Sequence, residues 1–369
     1  MEEETQIIPS LSWLTDDLIT QILIKLPVKP LARLKAVCKH WRRLISEPRF
    51  IHKHLKLSVK SDHTLRLLSK QLDSRIGYAS IRALDDNNVA SYEMVTLGTH
   101  ATGCVSLRGS CNGLLLVDVG EEDFHLWNPL TREDRNLPSL PGVGEVEFGQ
   151  SGVFGLGYDE VNEDYKVIFS FEIVTKHEII MRYMIYSLRA DMWREIEADI
   201  ALDQPQHDSP LALNGALHWF SYREDNSRKW PWWYLVVFDV ASEKFREIDL
   251  PNKLAEGFPV QRLSVDGLLG IVESKTEWRT YGFWVLNNYE DEGSWTLLYH
   301  IPSSQPIYFE RFHTGFFWLW EKGVILVLQH FKLLLFDPKD CSVKEVCLVD
   351  HGIRSTLSFV ESLVSPYRI

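Results

Sequence analysis

The sequence predicts an α+β chain in two parts: a small N-terminal module of three helices, then a large all-β body with propeller-like organisation. About six blades are expected, five of them plainly visible. Three observations carry this. Residues 11 to 57 place apolar side chains at helical spacing between prolines. From Ser110 onward a hydrophobic strand, a polar loop, an aromatic strand and a charged turn recur about every 50 residues. Aromatic residues are abundant, with 13 Trp, 13 Tyr and 18 Phe, and they favour strands. The implied units are a disordered terminus over 1–10, the helical module over 11–57 and the β body over 58–369.

Thr15 is placed to cap the first helix, with Asp16 and Asp17 in its positive first turn. Leu18, Ile19, Ile22, Leu23 and Leu26 then form one wide apolar face, which Pro27 stops. A second helix begins near Pro30, with Leu31, Leu34, Val37, Cys38 and Trp41 on its apolar side. Pro48 is read as closing a third short turn that carries Leu44 and Ile45, and His52 to Lys60 as a basic helical or extended link. A unit this small buries too little surface to stand alone. Its apolar stripe therefore needs another surface, on the same chain or on a separate subunit.

In the β body, Trp127, Tyr186, Phe238, Trp284 and Phe336 mark equivalent aromatic strands of five successive units. Small-residue turns precede them, among them Asn112-Gly113, Asn214-Gly215 and Asp266-Gly267. A unit of this length cannot cover its own apolar face, so units stack around an axis as propeller blades of the kelch sort. Residues 62 to 100, with a C-terminal strand around Ser358 to Val364, supply a sixth. Two β-sandwiches with coincidental spacing are the alternative. The absence of any Gly-Gly pair departs from a standard kelch array.

Composition narrows the function classes. No run of about 18 apolar residues exists to span a membrane. Met1-Glu2-Glu3-Glu4 lacks the apolar stretch of a secretory leader. Five cysteines without a Cys-x-x-Cys pair suit a reducing compartment, so cytoplasm, nucleus or both is the expected location. The net charge of −12 conceals an asymmetry: between Lys25 and Lys60 eleven Lys or Arg face Glu47 alone. Such a basic face suits nucleic acid, an acidic protein or plain solvent. Its interleaving with apolar side chains, beside a strongly acidic body, argues against nucleic acid.

No catalytic site can be named. The chain lacks a Gly-x-Ser-x-Gly elbow, a Walker loop and a complete Gly-x-Gly-x-x-Gly. His52-x-His54 reads as a solvent-facing pair, the cysteines lack His partners at zinc-ligand spacing, and acidic runs such as Glu121-Glu122-Asp123 read as solvated turns. No cofactor, metal or catalysis is expected. For recognition, the insertion Arg223 to Lys229 leads into Trp230-Pro231-Trp232-Trp233-Tyr234, and aromatic anchors on loops are common interface hot spots. Trp230, Trp232, Trp233 and, more weakly, Trp278 and the 142–152 loop are candidate contacts to a bound protein. Strand alternation that buries Trp232 and Tyr234 in a blade is the competing reading.

The ordered set Leu14-x-x-x-Leu18, Leu26-Pro27-Val28-Lys29, Val37-Cys38-Lys39-x-Trp41 and Ile45-x-x-Pro48-Arg49-Phe50 closely resembles an F-box. Thr15 and Pro30 depart from that pattern at helix starts. The resemblance implies docking on the Skp-type adaptor of a cullin–RING ubiquitin ligase. Leu14, Leu18, Leu26, Pro27, Val28, Leu34, Val37, Cys38 and Trp41 would lie in or directly behind that contact. Asn112-Gly113-Leu114-Leu115, Leu126-Trp127-Asn128-Pro129-Leu130-Thr131 and Phe154-Gly155-Leu156-Gly157-Tyr158-Asp159 look like the F-box-associated domain of plant F-box proteins. That implies a non-catalytic adaptor whose β body captures a protein substrate. The alternatives are a propeller scaffold or inhibitor uncoupled from ubiquitination and, more distantly, a propeller hydrolase or lectin.

Overall fold

In a computed structural model of the chain, the described residues are 15–59, 65–71, 76–80, 93–95, 105–119, 123–141, 154–174, 179–198, 209–224, 231–251, 257–275, 280–301, 315–319, 323–329, 332–346 and 353–367. The segment 1–10 expected to be disordered lies outside them.

The described part of the N-terminal module has four helices rather than three: α1 Asp16–Leu23, α2 Val28–Leu34, α3 Lys39–Ser46 and α4 Pro48–Ser58. Thr15 caps α1, its hydroxyl accepting the Leu18 N–H at 3.4 Å. The apolar series Leu31 to Trp41 does not form one helix. Cys38 is extended, and its Sγ accepts the Trp41 N–H at 3.4 Å, so a new helix starts there. Pro48 opens α4 instead of closing a turn, because a first-turn residue needs no N–H donor.

Among the described residues twenty-four strands follow. They are β1 Leu65–Gln71, β2 Ile76–Ser80 and β3 Glu93–Val95; then β4 Val105–Cys111, β5 Leu114–Val119, β6 Phe124–Asn128 and β7 Glu133–Asn136. Next come β8 Phe154–Asp159, β9 Asp164–Val174, β10 Ile179–Ser187, β11 Met192–Ile196, β12 Leu211–Leu213, β13 Ala216–Arg223, β14 Trp232–Asp239 and β15 Lys244–Asp249. The last are β16 Gly257–Val265, β17 Leu268–Lys275, β18 Thr280–Leu286, β19 Trp295–Ile301, β20 Gly315–Leu319, β21 Val324–Gln329, β22 Lys332–Asp337, β23 Ser342–Val346 and β24 Ile353–Val360. Among the described residues they form six four-stranded antiparallel sheets, five in simple sequence order. The sixth has the order β24-β1-β2-β3, so the final strand completes the first blade and closes the ring. Separate four-stranded sheets exclude the two-sandwich alternative.

The inner hairpins turn on Asn112-Gly113, Asn214-Gly215 and Asp266-Gly267, all with positive φ, the geometry whose twist matches flanking strands. Trp127, Tyr186, Phe238, Trp284 and Phe336 are buried, each in the third strand of its blade. Tyr78 in β2 is the sixth of the set. Strand β14 shows why these runs are apolar throughout rather than alternating. Tyr234, Val236 and Phe238 pack on Ile168 and Ile185 of the preceding blade, while Leu235 and Val237 pack with Leu269 and Ile271 of the next.

Strand direction assigns the loops to faces. In each antiparallel blade the first-to-second and third-to-fourth turns share one face of the wheel. Second-to-third loops and blade-to-blade connections share the other. The chain enters β1 and leaves β24 on the first face, since Leu65 pairs with Val360.

Candidate functional site: the two faces of the helical module

The inner face of the module is a continuation of the wheel's core. Ile19, Leu23, Val28, Leu31, Ile45 and Phe50 share one apolar cluster with Tyr78, Leu115, Trp127 and Phe359. Lys29 lies 5.2 Å above the Tyr78 ring. His54, read as solvent-facing from its spacing, is instead buried: its Nε2 bonds the Leu26 carbonyl at 2.9 Å and its ring stacks on Phe50. The stripe thus packs against its own chain on one side, a role the motif alone does not reveal.

Among the described residues nothing covers the outer face. Leu18 is 46 % exposed, Ile22 57 % and Val37 64 %. Pro27 and Cys38 are also exposed, and Leu26, Leu34 and Trp41 are half-buried. Val28 is fully buried, so it sits behind this surface. Leu14 lies outside the described residues. Leu18 and Ile22 stand one turn apart on α1, while Ile19 and Leu23 beside them point inward. An apolar arc this wide serves two surfaces, and the width itself was the sequence signal. Lys25, Arg33, Lys39, Arg42, Arg49, Lys53 and Lys56 are exposed on the same module. Asp16 at the start of α1 meets His40 at 2.9 Å and Arg43 at 3.5 Å, tying α3 to α1.

The aromatic insertion enters the wheel at β14. Trp232 is 37 % exposed, Trp233 is half-buried against Tyr222 with ring centroids 4.8 Å apart, and Tyr234 is fully buried beneath the Arg223 guanidinium. The alternation reading holds for Tyr234 and not for Trp232. This end of β14 belongs to the second-to-third side of its blade, so it lies on the face of the wheel opposite the helices. Trp230, Trp278 and the 142–152 loop lie outside the described residues.

Family models match both parts: an F-box domain over residues 11–53 and an F-box associated beta propeller domain over 65–361. The chain belongs to the F-box proteins with an associated propeller. Its relatives include an F-box/kelch-repeat protein of Arabidopsis thaliana, 27 % identical and covering 82 % of this chain and 83 % of its own. F-box protein CPR1 of the same plant is 26 % identical, covering 87 % of this chain and 81 % of its own. A solved oligogalacturonate lyase from Vibrio parahaemolyticus has TM-score 0.44 and 9 % identity, over 79 % of this chain and 82 % of that one, and nothing about this chain's chemistry rests on it.

Two clusters of buried ionisable groups in this F-box protein's wheel sit at joints between blades. Lys166 Nζ reaches Asp159 at 2.7 Å, Glu243 at 2.8 Å and the Val240 carbonyl at 3.0 Å, linking the third and fourth blades. Burial pushes the Asp159 carboxyl up, but hydrogen bonds from Asn162 and Lys166 outweigh it and bring it down to about 2. His218 lies at the fourth-to-fifth joint, its Nδ1–H donating to the Leu211 carbonyl at 3.0 Å and its Nε2 accepting from the Tyr289 hydroxyl at 3.1 Å. Burial, reinforced by Arg262 and Arg246 against the Leu211 bond, lowers it to about 4 and keeps it neutral. Among the described residues no group of three or more His, Cys, Asp or Glu is arranged to hold a metal.

Proposed function

We propose that this chain is the substrate-recognition subunit of a Skp–cullin–F-box ubiquitin ligase. One observation carries the reading. The module hides half of its apolar arc in the wheel, yet leaves Leu18, Ile22 and Val37 in solvent among basic side chains. Exposed apolar groups of this kind mark a protein contact, and the surrounding Lys and Arg would speed encounter with an acidic one. Leu26, Pro27, Leu34, Cys38 and Trp41 would border that contact, with Val28 supporting it from behind. The opposite face of the wheel, where Trp232 is exposed, would take the target protein. The work is proximity: joining two binding surfaces raises the effective concentration of target lysines near the recruited conjugating enzyme, so the chain acts as a non-catalytic adaptor.

The test is binding of a recombinant Skp-type adaptor to the full chain by calorimetry. Leu18→Asp and Val37→Asp change exposed residues and leave the fold intact, and each is expected to weaken binding at least about tenfold, the effect of ~1.4 kcal/mol. Undiminished affinity in both variants refutes the assignment. No binding by the unaltered chain favours a scaffold or inhibitor.

A further inference from the structure

After β24 the chain stays inside the molecule. Glu361, Ser362, Leu363, Val364 and Ser365 are buried without belonging to any strand. At the end of β6, Asn128 Nδ2 donates to the carbonyls of Ser362 at 3.0 Å and Val364 at 2.8 Å. Arg135 donates to the Pro366 carbonyl at 3.2 Å, and the Tyr367 hydroxyl donates to that of Asp134. Gly113 is where the segment crosses the inner hairpin: a Cβ there would stand 2.6 Å from Ser362 Cβ. On its other side the segment meets the F-box. Leu363 joins the cluster of Val28, Leu31 and Phe50, and Val364 joins that of Leu55. Glu361 reaches both bodies at once. One carboxylate oxygen accepts the N–H of Val28, the first residue of α2, at 3.4 Å, and the other pairs with Arg66 of β1.

We infer that residues 361–367 are a strap that fixes the angle of the F-box on the wheel, with Glu361 as the positioning residue acting through α2. Apolar contact alone is non-directional and tolerates sliding. A buried carboxylate is not tolerant, since a small rotation of α2 strands a helix-start N–H and the buried oxygen that accepted it, while Arg66 holds the other oxygen on the wheel. Modules of one chain move relative to each other unless their interface is large and apolar. Here the apolar cluster supplies adhesion and Glu361 supplies orientation. The strap runs beyond the stretch matched by the propeller family, which ends at residue 361. Its consequence for function, a set distance between adaptor and target, rests on the ligase reading; the strap itself does not.

Amide hydrogen exchange on the free full-length chain, with no adaptor present, tests it. Glu361→Ala is expected to speed exchange in peptides covering 28–34 by on the order of tenfold or more, while peptides within 232–239 and 280–286 stay at wild-type rates. Glu361→Gln keeps an acceptor for the Val28 N–H and is expected to exchange closer to wild type in 28–34. Small-angle scattering of Glu361→Ala should show a larger radius of gyration. A parallel rise in all blades means a general stability role and overturns the proposal, as does wild-type exchange at 28–34 in Glu361→Ala. Loss of adaptor binding by Leu18→Asp bears on the ligase reading and leaves this result unaffected.

Discussion

Removing the Asn128 side chain tests the strap at its most heavily bonded point. Asn128 is fully buried and makes four hydrogen bonds: two donated to the strap carbonyls, and two accepted from the N–H groups of Leu130 at 2.9 Å and Thr131 at 3.3 Å. Asn128→Ala leaves these backbone groups without partners in a site closed to water. Each orphaned buried group costs about 1–3 kcal/mol, and the effects do not add fully where the backbone can relax, so a loss of about 4 kcal/mol is expected. Asn128→Asp keeps the acceptor but turns a carboxylate toward the carbonyls of Ser362 and Val364. It should cost at least as much near neutrality and less in acid, where the protonated form regains one donor. Urea unfolding followed by tryptophan fluorescence measures both, as a shifted midpoint at unchanged slope. If either variant at pH 7 falls within about 1 kcal/mol of wild type, the strap is not held as argued.

Three further outcomes follow from other residues. His218 is about 4 in the fold against 6.5 unfolded, so its contribution is complete above pH 6.5 and falls away as pH drops from 6.5 to 4, by about 3 kcal/mol in all; His218→Gln should flatten that part of the stability profile. Lys166→Met takes the cation from Asp159, which keeps only the hydrogen bonds from Val161 and Asn162, and should lower stability by about 3 kcal/mol in chemical denaturation. Arg132 is exposed and holds φ 62, so Arg132→Gly should leave stability unchanged or raise it by up to about 1 kcal/mol, read as a higher melting temperature.

Much of the wheel was legible because its signals are local. An Asn-Gly or Asp-Gly pair selects its own turn, and one buried aromatic per unit sits in the strand packed on both sides. Tyr78 escaped because its blade is assembled from both ends of the chain, so no single stretch shows the full unit. The helix boundaries failed at Cys38 and Pro48, where apolar spacing continues through a break that only a cap and a proline at the helix start define. The outer module face was legible as a motif. The division of its arc between solvent and wheel was not, because the groups that meet its inner side come from distant strands and from Glu361, which lies 333 residues from Val28. Nothing in a pattern of neighbours encodes a bond of that span. The exposure of Trp232 beside a buried Tyr234 likewise reflects the depth at which β14 enters its sheet.

Closing the ring with β24 also orders events during synthesis. While the ribosome is still adding the later blades, β1 to β3 form a sheet without its axial strand, and the cluster that covers the inner side of α1 and α2 lacks Phe359 and Leu363. The first part made is therefore among the last to be sheltered. A message truncated near its end would yield a polypeptide with five finished blades and an oily flank at its beginning, a natural target for chaperones and quality-control proteases.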